Sequence, residues 1–378
     1  NLFSSPGNAG TSQSGTNLES AVTDCEEVKQ TGREQKINMP VVGQEEPLVK
    51  GIYDFCQEDE QLKHISVVAP SAEAAQLEGS KAFSKKFMQR HNIPTAGYAE
   101  FTVDNFEEGK KYISQHGLPV VLKADGLAAG KGVVIAASHT EALQVFEEMI
   151  IHKQFGEASS KVVIEEFLQG IEVSVFALTD GHVYQVIGHA KDYKRIGEGD
   201  TGLNTGGMGC VSPVPFMDAA FMHTVEEKII KPTVDGLAKE NLNYHGFIFF
   251  GLMNVKGEPF VIEYNCRMGD PETEVVMPRL QTDIVALFAA MDNGTLVDTN
   301  IVFDERCCAA VMAVSGGYPG EYRKHLRISG LTDLPIDADS MIFHAGSKKT
   351  DAAVLTNGGR VLAVTSYGNN IPEVVERS

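Results

Sequence analysis

The chain is poor in positive charge, in paired cysteines and in long apolar runs, and each shortage closes off a class of function. It has 32 Lys and Arg against 51 Asp and Glu, a formal net charge of −19. Broad binding to a nucleic-acid backbone needs many cations to neutralise phosphates, so no nucleic-acid partner is expected. The six cysteines (Cys25, Cys56, Cys210, Cys266, Cys307 and Cys308) contain no C-x-x-C pair. That argues against a zinc knuckle or a disulfide framework and fits a reducing cytoplasm. No segment approaches the roughly 18 uninterrupted apolar residues of a membrane span, so no membrane partner is expected either. There is no internal repeat and no low-complexity tract. The chain starts Asn1-Leu-Phe, without an initiator Met or a signal peptide, which suggests a processed or trimmed chain.

What is present is ordinary globular material: 378 residues, 43% apolar and 22% charged, enough for two or three domains. Pro40-Val-Val-Gly43 and Ile65-Ser-Val-Val-Ala69 read as short buried strands flanking a helical stretch at residues 48–60. Residues 72–91 read as one or two helices stopped by Ile93-Pro94. Pro119-Val-Val-Leu-Lys-Ala124, Gly132-Val-Val-Ile-Ala136, Lys161-Val-Val-Ile-Glu165 and Glu172-Val-Ser-Val-Phe-Ala-Leu178 read as strands. Ser138 caps an amphipathic helix that runs to Ile150. Residues 246–255 and 260–264 form a hairpin about Lys256-Gly257. Beyond about residue 298 the chain is rich in strands and turns. This is α/β (α+β) organisation.

Four stretches carry chemistry. The run Phe260-Val-Ile-Glu-Tyr-Asn-Cys-Arg-Met-Gly-Asp-Pro-Glu-Thr-Glu274 presents Glu263, Asn265 and Arg267 at every second residue. Alternate residues of a strand share a face. A carboxylate and an amide oxygen side by side suit Mg²⁺, and a guanidinium beyond them suits a phosphoryl or acyl group. The bland alternative is a solvated strand end. The loop Lys123-Ala-Asp-Gly-Leu-Ala-Ala-Gly-Lys-Gly-Val133 fails as a Walker A motif: the spacing is one residue short, no Ser or Thr follows the Lys, and a strand comes next. A strand–loop–strand flap with lysines at both ends still covers a triphosphate; otherwise it is a surface hairpin.

The third stretch, Val162-Val-Ile-Glu-Glu-Phe-Leu168 with Glu172 after it, can hold an adenine and its ribose. The fourth, His189-Ala-Lys-Asp-Tyr-Lys-Arg195, gathers Lys191, Lys194 and Arg195. It leads into residues 197–209, with six glycines in thirteen residues, read as a loop that lets backbone approach an anionic substrate. The Rossmann reading of these glycines fails for want of a strand-to-helix context. His189 is a possible catalytic base but more simply a structural histidine.

In chain order, a flap lysine, a Glu-Glu-Phe-Leu hinge, a basic–glycine segment and a Glu-x-Asn-x-Arg strand resemble the ATP-grasp superfamily. The wording is closer to one of its families, the phosphoribosylamine–glycine ligases. Matching strings include Pro6-Gly-Asn-Ala-Gly-Thr11, Ala75-Gln-Leu-Glu-Gly-Ser-Lys-Ala-Phe83, Asp200-Thr-Gly-Leu-Asn-Thr-Gly-Gly-Met-Gly209 and Thr356-Asn-Gly-Gly-Arg-Val-Leu362. The resemblance spans nearly the whole chain. It implies an ATP-grasp fold with an N-terminal parallel α/β domain (1–74), an ATP-grasp domain (75–297) with a flap at about 94–168, and a small C-terminal β-rich domain (298–378).

It also implies ATP-dependent joining of glycine to 5-phospho-β-D-ribosylamine through glycyl phosphate, with ADP and phosphate released. The cofactors are ATP and Mg²⁺ or Mn²⁺, and the expected oligomeric state is monomer or weak homodimer. Residue by residue, Lys81, Lys123, Gly130 and Lys131 are implied at the ATP phosphates. Glu165, Glu166, Phe167 and Leu168 are implied at adenine, and Glu172 at ribose. Glu263 and Asn265 fall to the metal, Arg267 to the transferring phosphoryl group and Asp192 to the glycine ammonium. Asp270, Glu272 and Glu274 are read as shaping a loop.

The chain departs from the family in three places. The family's opening strand and Gly-Ser-Gly-Gly-Arg-Glu-His loop, expected at the ribosylamine phosphate, do not precede Pro6. Gly43-Gln-Glu-Glu-Pro-Leu48 lacks one proline of the family pattern, and the family's last helix does not follow Ser378. Lost termini are the expected cause. Another carboxylate–amine ligase of the same fold, or a non-catalytic nucleotide-binding homologue, are the competing readings.

Overall fold

The computed structural model describes residues 1–20, 22–128, 132–331 and 338–378. Its framework is a long antiparallel sheet. Eight strands lie in the order Glu258–Asn265, Tyr244–Val255, Ile171–Thr179, Tyr184–Gly197, Thr201–Ser212, Cys307–Val314, Arg360–Gly368 and Ser340–His344, and Ala69–Pro70 pairs off the path with Tyr244–Val255. The middle strands are covered on both faces, which explains why they read as unbroken apolar runs. The two-residue alternation of a strand sends successive side chains to opposite sides. Val173, Val175, Ala177, Ile248 and Phe250 therefore enter one core, with Val225 and Ile229. Phe176, Leu178, Phe247 and Phe249 enter the other, with Val275, Val276 and Leu287.

The hairpin joining Tyr244–Val255 to Glu258–Asn265 turns at Lys256 (φ 54°) and Gly257 (φ 90°). Both residues are left-handed, as the tightest hairpin turn requires. This turn sets the register as far as Leu252 opposite Val261, and a bulge-like shift just beyond it places Glu263 opposite Gly251. The glycine is needed there, because a Cβ on it would lie 2.9 Å from Glu263 Cγ.

A second, four-stranded sheet forms the flap, in the order Tyr98–Thr102, Lys161–Glu166, Val120–Ala124 and Val133–Ala136. Helices Phe106–Gln115 and His139–Ile150 cover it around a core of its own, with Phe101, Leu122, Phe146 and Ile164 buried. Ser138 caps the second helix, its hydroxyl accepting from the Glu141 N–H at 3.2 Å. Two short tethers join flap to body. At the first, Thr95 bridges to Val261, and the Val261 N–H donates to Pro94 O at 2.8 Å. At the second, residues 167–170 lead into Ile171–Thr179, and Gly170 passes so close to Asn254 that a Cβ would lie 2.2 Å from its carbonyl oxygen.

Two sequence readings change. Residues 197–209 are mostly a strand, not a loop: Thr201–Ser212 pairs with Tyr184–Gly197, with register shifts about Asn204, and the turn falls at Gly199 and Asp200. Glycines permit those irregularities while ladder bonds still form. The strands expected at 40–43 and 65–69 shrink to a parallel bridge, Val41 with Val68, beside Ala69–Pro70. A parallel pair also joins Phe3–Ser4 to Thr16–Asn17. Cys307–Val314 continues the central sheet, so the C-terminal segment is built onto the body through backbone bonds.

Candidate active site

The site lies where the flap tethers meet the end of Glu258–Asn265. Glu263 is the electrostatic focus. Burial works to protonate it, but Lys194, Lys81, Lys123 and Arg267 outweigh burial and hold its carboxyl below the usual range. Asn265 follows two residues on, at the strand's last position.

Arg267 is not on that strand, and the expectation of three side chains on one face is corrected. The strand ends at Asn265, because the buried Cys266 turns inward and its N–H donates to Glu78 Oε2 at 2.7 Å. The Arg267 guanidinium then pairs with Glu78 at 2.9 Å, lies 3.6 Å from Glu45, and donates to Met268 O at 3.1 Å. Glu45 and Glu78, which the sequence reading left without a role, thus orient it. Its Nε is buried without a hydrogen-bond partner.

Lys123 leaves the flap strand Val120–Ala124 and reaches the body. Its ammonium donates to Ile262 O at 3.1 Å and pairs with Glu165 Oε2 at 3.0 Å. Lys85, unassigned from sequence, approaches the other Glu165 oxygen at 3.3 Å and donates to Thr95 Oγ1 and Ala96 O at 2.8 and 3.2 Å. Lys85, Lys123 and Glu165 are all at most 4% exposed. Burial, partly offset by Glu165, lowers the Lys85 ammonium to about 8. Glu165 is therefore committed to two lysines, and what faces solvent at the hinge is Glu166 and Phe167, with Leu168 half-buried. Lys81 stands at the first position of helix Lys81–Arg90, and the flap's Asp125 closes against that helix end through Ser80 Oγ at 3.0 Å and the Ala82 N–H at 2.7 Å. Gly130 and Lys131 lie outside the described residues.

Lys194 is one of three basic residues, with Lys191 and Arg195, that the sequence reading gathered without giving each a role. It bridges Asp192 Oδ2 and Glu172 Oε2, each at 3.1 Å. Burial opposes its charge, yet Asp192, Glu172 and Glu263 push its pKa far above the ordinary lysine value. Asp192 and Lys194 share a strand face by simple alternation, a signal available in the sequence. Behind Asp192 sits Glu272, 4% exposed, its Oε1 accepting from Ser174 Oγ at 3.2 Å. Burial, then the Asp192 charge, raise it to about 7. His189 is structural: its Nδ1 accepts from the Val214 N–H at 3.2 Å, and burial with Arg279 nearby lowers it to about 4. The arrangement can grip a triphosphate between lysines, leave two hard oxygens for a cation and supply carboxylates for a small ammonium group.

Family models match almost the whole chain: Phosphoribosylglycinamide synthetase N domain over residues 1–78, ATP-grasp (A) domain over 79–273 and C domain over 308–378. A phosphoribosylamine–glycine ligase of Vibrio vulnificus is 43% identical over 380 residues, covering 100% of this chain and 87% of that protein. One from Escherichia coli K12 is 43% identical over 383 residues with the same coverage. The crystal structure of phosphoribosylamine–glycine ligase from Thermotoga maritima superposes with a TM-score of 0.83 at 32% identity, covering 99% of this chain and 88% of that one. A biotin carboxylase domain from Hydrogenobacter thermophilus, solved with MgADP and bicarbonate, shares the fold at TM-score 0.70 and 18% identity, covering 96% of this chain and 78% of that one.

Proposed function

The chain belongs to the phosphoribosylglycinamide synthetase family and is an ATP-grasp ligase of purine biosynthesis joining glycine to 5-phosphoribosylamine, and we propose that the cleft around Glu263 carries this reaction. The glycine carboxylate attacks the γ-phosphorus of ATP and ADP leaves. The ribosylamine nitrogen then attacks the carbonyl of glycyl phosphate and phosphate leaves. Transfer of this kind needs positioning and charge neutralisation more than covalent help from the protein.

In this reading Lys81 and Lys123, with Gly130 and Lys131 of the flap, hold ATP phosphates. Phe167, Leu168 and the backbone about Glu165 and Glu166 hold adenine, and Glu172 the ribose. Arg267, steadied by Glu78, faces the transferring phosphoryl group. Asp192 takes the glycine ammonium and shares its charge with Lys194. Glu263 and Asn265 fit Mg²⁺ or Mn²⁺: one is a carboxylate kept ionised, the other a neutral hard oxygen, and phosphates and water complete such a shell. Bound there, the ion would supply charge neutralisation to the ATP phosphates.

The observation that supports the assignment is the reach of Lys123 from the flap to Ile262 O, next to Glu263, at 3.1 Å, with Lys194, Lys81 and Arg267 also near enough to keep that carboxyl ionised. The division at about 74 and 297 with a flap at about 94–168, a cytoplasmic location and a monomer or weak homodimer belong to the same reading. Among the described residues no helix is long and apolar enough to cross a membrane. The test is ADP release with Mg²⁺, glycine and ribosylamine supplied together and omitted one at a time. ADP release must need glycine, formation of the amide product must need both substrates, and both should fall about 10- to 100-fold in Glu263→Gln, the scale of a disturbed metal site. Equal ADP release without glycine would sink the reading.

A further inference from the structure

Both tethers of the flap converge on one buried ammonium. Lys85 rises from the body helix Lys81–Arg90 and is 2% exposed. Its Nζ donates to Thr95 Oγ1 and Ala96 O of the first tether, and Thr95 Oγ1 donates on to Val261 O at 2.7 Å. It stands 3.3 Å from Glu165 Oε1, just ahead of the second tether, and 5.5 Å from the centre of the Tyr98 ring. The backbone closes the same junction, the Glu166 N–H donating to Gly97 O at 3.0 Å. An apolar side chain of that length would fill the space without the desolvation that a buried ammonium costs. The charge therefore calls for a reason that packing does not supply.

The balance of charge at the hinge supplies one. Glu165 Oε2 lies 3.0 Å from Lys123 Nζ, so two ammonium groups share one carboxylate and the buried cluster holds one positive charge in excess. The other carboxylates nearby do not cancel it. Glu166 is exposed, where solvent screens it, and Glu263 already has Lys194, Lys81 and Arg267 about it. The excess reaches the cleft through Lys123, which donates to Ile262 O at 3.1 Å and lies close enough to Glu263 to act on its charge. Without Lys85 the cluster would be a neutral Lys123–Glu165 pair, and a matched pair attracts an anion far less than an unmatched cation does.

We propose that Lys85 is a positioning residue for ATP: by taking a share of Glu165 it keeps that carboxylate from neutralising Lys123, so that the hinge presents a net positive charge to the nucleotide phosphates. The identity of the anion rests on the ligase reading above. At 2% exposure Lys85 itself meets no ligand, and its effect passes through Glu165 to Lys123. Coulomb attraction acts through space, so a charge that reaches Glu263 reaches phosphates held beside it without any new opening at the buried lysines. The same ammonium ties both tethers to the body helix, and the flap thereby carries Lys123 at a fixed place against the strand that ends in Asn265.

The test follows the charge of this cluster through variants of the full chain, with MgATP affinity measured by calorimetry in the absence of other substrates and KM values taken from initial rates. Lys85→Met leaves one lysine to one carboxylate and makes the cluster neutral; Lys85→Met combined with Glu165→Gln restores one excess positive charge. Lys85→Met should weaken ATP about tenfold in Kd and in KM, the scale of one unit charge removed from a partly screened site, with the KM values for glycine and ribosylamine within about twofold of the parent. The double variant should recover most of that loss although it carries one more substitution in the same hinge, an outcome that a purely structural lysine does not produce. A Lys85→Met enzyme with the parent's ATP affinity overturns the proposal, as does a double variant that binds ATP more weakly than Lys85→Met. Should Lys85→Met fail to fold, Glu165→Gln alone carries the test: with two excess charges it should bind ATP at least as tightly as the parent, and weaker binding overturns the proposal. A parent that binds MgATP but forms no amide from glycine and ribosylamine overturns the ligase reading alone, because the order of ATP affinities is read without chemistry.

Discussion

Glu272 tests whether the electrostatics beneath the cleft are understood, through Glu272→Gln. The carboxyl is 4% exposed and tightly enclosed: a Cβ on Gly269 would stand 2.4 Å from its Oε2. Burial, with Asp192 adding to it, raises its pKa from 4.5 to about 7. The folded state therefore holds a proton that the unfolded chain has released, between about pH 4.5 and 7. In that window the native state binds more protons than the unfolded state, so stability falls as pH rises. At 1.36 kcal/mol per unit, the shift amounts to about 3 kcal/mol of stability present below pH 4.5 and lost above pH 7. Glutamine keeps the shape and the bond with Ser174 but cannot ionise. Urea unfolding of parent and variant at pH 5, 6, 7 and 8 should show a gap in the variant's favour that widens by about 2 to 3 kcal/mol and then levels off. A gap of constant size across the four pH values would refute the reasoning.

Three further outcomes follow from the geometry. Asp192→Asn should raise the glycine KM more than the ATP KM, by about tenfold or more for a charged contact; equal changes would remove Asp192 from the glycine site. Lys123→Met should raise the ATP KM while leaving the protein folded, since Lys85 still accompanies Glu165; thermal unfolding beside initial rates checks both, and an unchanged ATP KM would count against the phosphate role. Gly207→Ala places a Cβ 2.4 Å from Pro271 Cδ at a φ of 118°, and should cost about 2 kcal/mol or more in denaturant unfolding. A variant as stable as the parent would mean the two segments pack less closely than described.

Much of this was legible in the sequence because it is local. The Lys256-Gly257 turn is written in its two residues, and the doubly covered strands in their apolar runs. Glu263, Asn265, Lys123, Phe167 and Leu168 fall on the elements where their motifs placed them. What was not legible is a matter of partners distant in sequence. Residues 197–209 looked like a loop because glycine density measures backbone freedom, whereas pairing with Tyr184–Gly197 decides how that freedom is used. Arg267 looked like a strand-face residue because nothing near it in sequence names Glu78, 189 positions earlier. Lys85 looked like one more helix lysine until Glu165, Thr95 and Ala96 surrounded it. The Asp270–Glu274 loop looked merely acidic until Arg360 took one carboxylate and left another without a partner.

The amino-acid sequence by itself determined the family and the α/β organisation, because motif wording and two-residue alternation are properties of a single stretch of chain. The tertiary structure alone decided which charges are matched and which are left over: Lys194 shared between Asp192 and Glu172, Glu165 held by two lysines, Glu272 pressed toward neutrality, Glu274 buried at one oxygen without a hydrogen-bond partner. Charge matching and desolvation depend on distances between segments far apart in sequence, and only folding fixes those distances.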